Sequence, residues 1–228
     1  MRLHNALKDA VRQHEQDRAI IADLKGEINE QQREAQHQVR NILSVVRSIV
    51  RRTVAEGETA ENYQAMLDSR LASFTRLQSN ILRNAAGGVN LYNLVADELL
   101  AFGIKVGSRA QLEGPDICLH PKPASVLGLA IHELACMAIT GRGPADGNAE
   151  IDVRWQLEAA SSCSSQLSLE WREGGRKVDF GSGSYATFGQ EYLEQAISYE
   201  LNGEVCLDIS AGVLICRLLV PAEGMVIS

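Results

Sequence analysis

The chain has 228 residues, 45% of them hydrophobic and 22% charged, the composition of an ordinary globular protein able to bury a core as one medium domain or two small ones. No run approaches the roughly 18 apolar residues of a membrane span, and the opening MRLHNALKDAVRQHEQDRAII lacks a signal-peptide core, so a cytoplasmic protein with no membrane partner is expected. The net charge of −7 divides unevenly, with 13 Lys and Arg against 11 Asp and Glu in residues 1–88 and 9 against 18 in residues 89–228, a split that suggests two modules and is too weakly basic anywhere to call for nucleic acid.

From about residue 5 to 54 there is no proline and only Gly26, while Ile21, Leu24, Ile28, Ala35, Val39, Ile42, Val46 and Ile49 recur at steps of three and four, the pattern of one long helix with coiled-coil-like spacing. AEGETAEN (55–62) breaks it. A second helix follows with Leu67, Leu71, Phe74, Gln78 and Ile81 on one stripe, ending at AAGG (85–88). An antiparallel hairpin of the two helices leaves apolar surface over, and a second copy would cover it in a four-helix bundle. After Gly88 the spacing predicts helix LYNLVADELLAF, a short strand pair around IKVG and DICLH, helix PASVLGLAIHELACMAIT and strands AEIDVRWQLE and QLSLEWRE, with SSCSS (161–165) as a hairpin loop. Helix FGQEYLEQAISYELNG and strands EVCLDIS and VLICRLLVP complete the chain. The expected class is α+β, with helices on one face of a mixed sheet. Cys118, Cys136, Cys163, Cys206 and Cys216 show no metal-ligand spacing, which fits reduced thiols and no metal site.

The stretch REAQHQVRNILSVVRSIVRRT holds the one feature that suggests chemistry. At about 100° per residue, Ile42, Val45, Val46, Ile49 and Val50 form a stripe roughly 150° away from His37, which places the histidine on the polar face. Arg40, Asn41, Ser44, Arg47, Ser48 and Arg51 fall within roughly 80° of it. A solvated imidazole is largely neutral at pH 7 and offers a ring nitrogen as nucleophile, and the guanidinium groups would counter the charge of a phosphoryl group or steer an acidic partner. A histidine on a polar helix face is also what mere solvation produces.

HQVRNILSVVRSIVRRT resembles the HxxKN phosphoacceptor helix of HWE-type sensor histidine kinases, and further matches follow in order. AIHELACMAI (130–139) is similar to the HELATNA stretch of that family, VRW (153–155) to the strand after it, LEWREGG (169–175) to its WxExGG box and TFGQEYLEQAI (187–197) to its GFGxxLIExA box. The resemblance implies that His37 accepts and donates a phosphoryl group, that Asn41 orients groups around it, and that residues 89–228 form a Bergerat-type (GHKL) ATPase-like sandwich. Residues 31–88 would then be the dimerisation and phosphotransfer hairpin and residues 1–30 a helical extension. Where the family commonly has Arg after the histidine, this chain has Gln38.

The nucleotide motifs depart further. The position of the family's magnesium-ligating Asn is Met137, whose thioether is no ligand for a cation that demands hard oxygens. AITGRGPA (138–145) lacks the family's Tyr, and the glycine box opens on Thr187, which would crowd a backbone meant to approach phosphates. His132, Glu133, Trp171, Glu173 and Gly189 remain, as residues that can equally brace or fill a fold. The sequence therefore reads as a histidine phosphotransferase with a vestigial nucleotide site and no cofactor. It resembles dimeric phosphotransferases on a degenerate kinase scaffold, of the ChpT kind, and would exchange phosphate between His37 and the aspartate of a response regulator receiver domain, with an upstream histidine kinase as a further candidate partner. Two alternatives stay open: an ATP-dependent HWE kinase core that uses Mg-ATP, and a pseudokinase adaptor that binds a regulator without phosphate on His37.

Overall fold

The structure, a computed structural model, describes residues 2–53, 59–83, 88–140, 150–161, 164–174, 184–210 and 212–227; some helical side chains, those of His37, Asn41 and Thr187 among them, lie outside the description. The chain divides into two compact units, residues 1–48 and 49–228.

The first unit is the greater part of helix α1 (Arg2–Thr53). Along it Ile21, Leu24, Ile28 and Val39 of the predicted pattern are each more than half exposed, as are Ile20 and Leu43 outside it, while Ile42 and Val46 are half-buried.

The second unit starts with the last turn of α1 and continues through α2 (Ala60–Arg83), β1 (Val89–Asn90), α3 (Leu91–Ala101), β2 (Ala110–Glu113), β3 (Cys118–Leu119) and α4 (Pro121–Thr140). Then come β4 (Ile151–Ser161), β5 (Ser164–Glu173), α5 (Ser184–Leu201), β6 (Glu204–Ser210), β7 (Val213–Pro221) and β8 (Val226–Ile227). The main sheet has the order β2-β4-β5-β7-β6, antiparallel except for the parallel pairing of β2 with β4. Its register stacks Ile151 with Glu173 and Leu214, Val153 with Trp171 and Cys216, and Trp155 with Leu169 and Leu218, and all nine are buried. This period-two alternation gives the sheet one apolar face. Helices α4 and α5 pack together, α5 lies on β6 and β7, and α2 and α3 pack on α4. The class is α+β, as the sequence patterning leads one to expect.

Two local readings change. The segment IKVG forms no strand; Val106 makes an isolated bridge to Ala110 across a turn at Gly107, which has φ of 80°. DICLH supplies β3, which pairs with β1 and β8 in a separate three-stranded sheet, order β1-β3-β8. Short apolar runs announce strands and leave the partner open. SSCSS lies partly outside the described residues, as do AEGETAEN, AAGG and most of AITGRGPA.

The face of α2 also differs. Met66, Arg70, Phe74, Leu77 and Ile81 are buried, whereas Leu67, Leu71 and Gln78 are half-buried. At about 100° per residue the buried face is centred roughly 60° around the helix from the predicted stripe. The reason is α4: Gly128 has no side chain, and a Cβ there would lie 3.1 Å from both Leu77 and Leu94, so α2, α3 and α4 meet closely at that point. Phe74 and Ile81, counted on sequence grounds toward a surface needing a second copy, are already buried in the single chain. Among the described residues α4 is the one helix long and apolar enough to cross a membrane, and it is mostly buried as a core helix.

Candidate functional site

The retained HE dipeptide of α4 is where α2 and α3 converge. Glu133 is 2% exposed, and both carboxylate oxygens accept from one guanidinium: Arg70 donates through Nε at 2.6 Å and through Nη2 at 2.9 Å. Arg70 is itself 3% exposed and donates through Nη1 to Thr53 Oγ1 at 3.3 Å. Thr53, in the last turn of α1, donates in turn to the Ile49 carbonyl at 2.6 Å. A bidentate Arg–carboxylate pair fixes orientation as well as charge.

Beside it, His132 joins two helices. Its Nδ1 lies 3.1 Å from Glu98 Oε2 of α3 and its Nε2 lies 3.1 Å from Ser69 Oγ of α2, while Phe102 stacks against the ring at a centroid distance of 5.1 Å. Nδ1 pairs with the Glu98 carboxylate and Nε2 with the Ser69 hydroxyl, so both ring nitrogens have partners. Arg76 donates to the same Glu98 oxygen at 2.9 Å. Burial by itself would raise the Glu98 carboxyl, but the hydrogen bond and charge of His132, the charge of Arg76 and a hydrogen bond from Ser73 outweigh it and hold Glu98 below its ordinary value of 4.5. Ser69, Arg70, Ser73 and Arg76 thus form a polar seam along α2 that reaches α4 and α3.

The other motif residues lie on the layers behind. Met137, 2% exposed, sits one turn after Glu133 on α4, and a Cβ at Gly189 of α5 would lie 3.1 Å from its sulfur. The thioether therefore rests against the backbone that the glycine box leaves open. Trp171 and Glu173, both fully buried, point to the inner face of the main sheet, and the Trp171 indole nitrogen has no hydrogen-bond partner among the described residues. A cavity of about 200 Å³ lies between α2 and α4, lined by Met66, Ser69, Arg70, His132, Glu133 and Cys136 with Ala65, Phe102 and Ile139. Its polar walls are largely spoken for by one another.

On α1, His37 and Asn41 are helical in backbone, and their side chains lie outside the described residues, as does that of Thr187 on α5. Arg40, Ser44, Arg47 and Arg51 are exposed, and Arg40 Nε donates to the Gln36 carbonyl at 3.3 Å. The fold brings His132, Glu133, Met137 and Gly189 into one neighbourhood. The sequence reading missed Ser69, Arg70, Ser73, Arg76 and Glu98. A signal existed: Arg70 falls in the middle of the Met66, Phe74, Leu77, Ile81 stripe, and Glu98 stands among the buried Leu91, Leu94, Val95 and Leu99 of α3. A charge on an apolar helix face needs a buried partner.

Known proteins share parts of this sequence and this fold. The sequence profile of the HWE histidine kinase family matches residues 34–116, from α1 through β2 to the loop before β3. The chain is 22% identical over 189 residues to blue-light-activated histidine kinases of Brucella ovis and Brucella anthropi, the latter over 190 residues; the match takes in 83% of this chain and 38% of theirs. The chain thus spans well under half the length of these relatives. The structure of the Erythrobacter litoralis EL346 blue-light activated histidine kinase shares the fold, with a TM-score of 0.59 and 14% identity over 81% of this chain and 59% of that one. The motif order, the α+β sandwich and these likenesses agree: residues 34–116 are similar to the HWE histidine kinase family, and the chain shares its fold with a histidine kinase.

Proposed function

We propose that this chain is a histidine phosphotransferase that exchanges a phosphoryl group between His37 and the aspartate of a response regulator receiver domain, with its nucleotide site out of use. The observation that carries the second half is the state of the HE segment. Both oxygens of Glu133 are taken by Arg70, and a thioether at Met137, packed on Gly189, stands where a hard oxygen would be required. These residues do not fit a magnesium-bound nucleotide. For the first half, the support is the family's phosphoacceptor motif around His37 and the exposed Arg40, Ser44, Arg47 and Arg51 on the same helix.

In the transfer, a neutral ring nitrogen of His37 attacks phosphorus, the aspartyl oxygen leaves with the electrons of the P–O bond as a carboxylate, and the proton on the other ring nitrogen passes to solvent. The exposed arginines would draw an acidic receiver pocket toward the helix. The outward apolar residues of α1 would be covered by a second copy, making a homodimer with a four-helix bundle, and cysteines that form no disulfide among the described residues suit the cytoplasm.

Incubation with a receiver domain carrying labelled phosphate is the test. Label should move to the wild-type chain and not to His37→Ala; label on both variants alike would sink the assignment of His37, and tight binding without label would favour the adaptor. The kinase reading draws on the names of the Brucella relatives and on the retained Glu133, Trp171 and Glu173. A bound ligand at about 100 times its Kd adds about 2.7 kcal/mol to stability, so a magnesium-dependent thermal shift with ATP, or labelling of His37 from ATP, would establish that reading instead. The expected result is neither.

A further inference from the structure

We propose that strand β6 is a docking edge for an extended basic segment of another protein, which adds antiparallel to the main sheet beside it. This use of the sheet is independent of phosphotransfer at His37.

The main sheet has two edges among the described residues, β2 and β6. Strand β2 has four residues, pairs parallel to β4 and runs into Gly114 and Pro115, so it offers little to a further strand. Strand β6 is in register with β7 over seven residues, and no described strand pairs with its other side. Ser210 and Val213 close the β6–β7 hairpin across two residues, and the closing pair of so tight a hairpin exchanges backbone hydrogen bonds. Counting back by twos, Asp208, Cys206 and Glu204 turn N–H and C=O toward β7. Val205, Leu207 and Ile209 therefore turn theirs toward the free edge, where water or another strand must satisfy them.

The side chains say which strand fits. Glu204, Cys206 and Asp208 are exposed on the outer face of the sheet, while Val205 and Leu207, opposite the buried Leu218 and Cys216, are half-buried on the inner face. Neither carboxylate forms an ion pair among the described residues: Arg217, the base opposite Cys206, donates to Glu170 of β5 and adds only a weaker attraction to Asp208. An antiparallel second copy centred on Cys206 or Leu207 would set the carboxylates of Glu204 and Asp208 opposite or diagonal to their own kind, which is unfavourable. A segment with bases four apart and apolar residues between them, such as Lys-Val-Thr-Val-Lys, meets every position instead. Its bases face Glu204 and Asp208, its valines extend the apolar strip of Val205 and Leu207, and its threonine lies opposite Cys206. The excess of 18 acidic over 9 basic residues in residues 89–228 attracts the same partner at longer range. In such strand addition the main chain supplies affinity and alternate side chains supply the choice of partner.

The test is titration of the full chain with the capped peptide Thr-Lys-Val-Thr-Val-Lys-Thr at low salt, followed by nuclear magnetic resonance. At saturation, amide exchange at Val205, Leu207 and Ile209 should slow by about tenfold or more, with no change along β2. Glu204→Lys with Asp208→Lys should raise the Kd by about tenfold or more, as should a peptide with Glu in place of both lysines. Methylating the two valine nitrogens of the peptide, which face β6 in the antiparallel pairing, should abolish binding, whereas methylating the lysine nitrogens, which face solvent, should leave the Kd within about threefold. The methylated peptides leave the protein untouched, so they decide even if the double variant misfolds. No binding, equal Kd for the two methylated peptides, or indifference to charge reversal in a folded variant would each overturn the proposal. So would edge amides that exchange in the free chain as slowly as those of β5, since another segment or a second copy would then already cover β6.

Discussion

Two arginine–carboxylate pairs in this molecule have the same length and opposite settings. Arg70 meets Glu133 at 2.6 Å with side chains 4% and 3% exposed, whereas Arg217 meets Glu170 at 2.6 Å on the outer face of the sheet with side chains 57% and 36% exposed. Distance does not separate them; the medium does. On the outer face, water and salt screen each charge whether or not its partner is present, and the neighbouring Arg154 divides itself between Asp152 and Glu113. At the α2–α4 junction neither group has water to return to, so each depends on the other. Burial turns an interaction of little consequence into one that decides where a helix sits.

The sharpest way to break this contrast is to remove one partner inside. Arg70→Ala leaves Glu133 buried and uncompensated and is expected to cost about 3–5 kcal/mol in urea unfolding, while Arg70→Met with Glu133→Leu, which removes both charges, should recover most or all of it. A loss below about 1 kcal/mol for the single variant would mean that water reaches Glu133 and that the two pairs are alike.

Glu98→Gln comes next, at about 1–3 kcal/mol, because the amide keeps the shape but cannot satisfy His132, Arg76 and Ser73 as a carboxylate does. Its pH dependence sharpens the comparison. The folded carboxyl titrates below its unfolded value of 4.5, so the native state binds fewer protons; its contribution is full above about pH 4.5 and disappears as pH falls through the folded value. Acid titration of stability should be shallower for Glu98→Gln than for wild type below pH 4.5, and parallel curves would show that Glu98 is not held ionised by the seam.

A smaller effect is expected at Gly189. Alanine would gain up to about 1 kcal/mol of helix propensity in α5 but place its methyl 3.1 Å from the Met137 sulfur, so the net change should lie near zero. In a Met137→Ala background the obstruction is gone, and the same substitution should stabilise by about 1 kcal/mol; thermal denaturation of the four combinations checks the coupling. At the bottom of the scale, Arg217→Ala should leave the midpoint of unfolding unchanged within error, and a clear loss would show that the outer face is less solvated than its exposure indicates.

Much of this molecule was open to reading before its structure. Helix positions follow from the recurrence of apolar residues at three and four, as along α4 from Leu127 to Ala138, because a helix turning on itself needs only local order. The strands β4, β5 and β7 announce themselves by alternation, and the motif order that resembles that of HWE-type kinases is written in the chain. What was misjudged lies between elements. The stripe of α2 was read roughly 60° away from the face that is buried, because Arg70 and Ser73 look like surface residues and Leu67 and Leu71 like core. IKVG and DICLH were paired with each other because they are neighbours, while DICLH pairs with β1 and the distant β8.

The sequence by itself thus determined the helices, the inward face of the sheet, the polar helix face that carries His37 and a thioether on the apolar side of α4 at Met137, since each depends on residue type and near neighbours. Only the tertiary structure decided that Glu133 belongs to Arg70, that His132 bridges Ser69 and Glu98, and that Met137 rests on Gly189. Those partners are 63 residues apart for the ion pair, a separation over which no local period carries information. Their choice follows from which helix the missing side chain of Gly128 lets approach α4, and from the cost of leaving any charge at that junction without its counterpart.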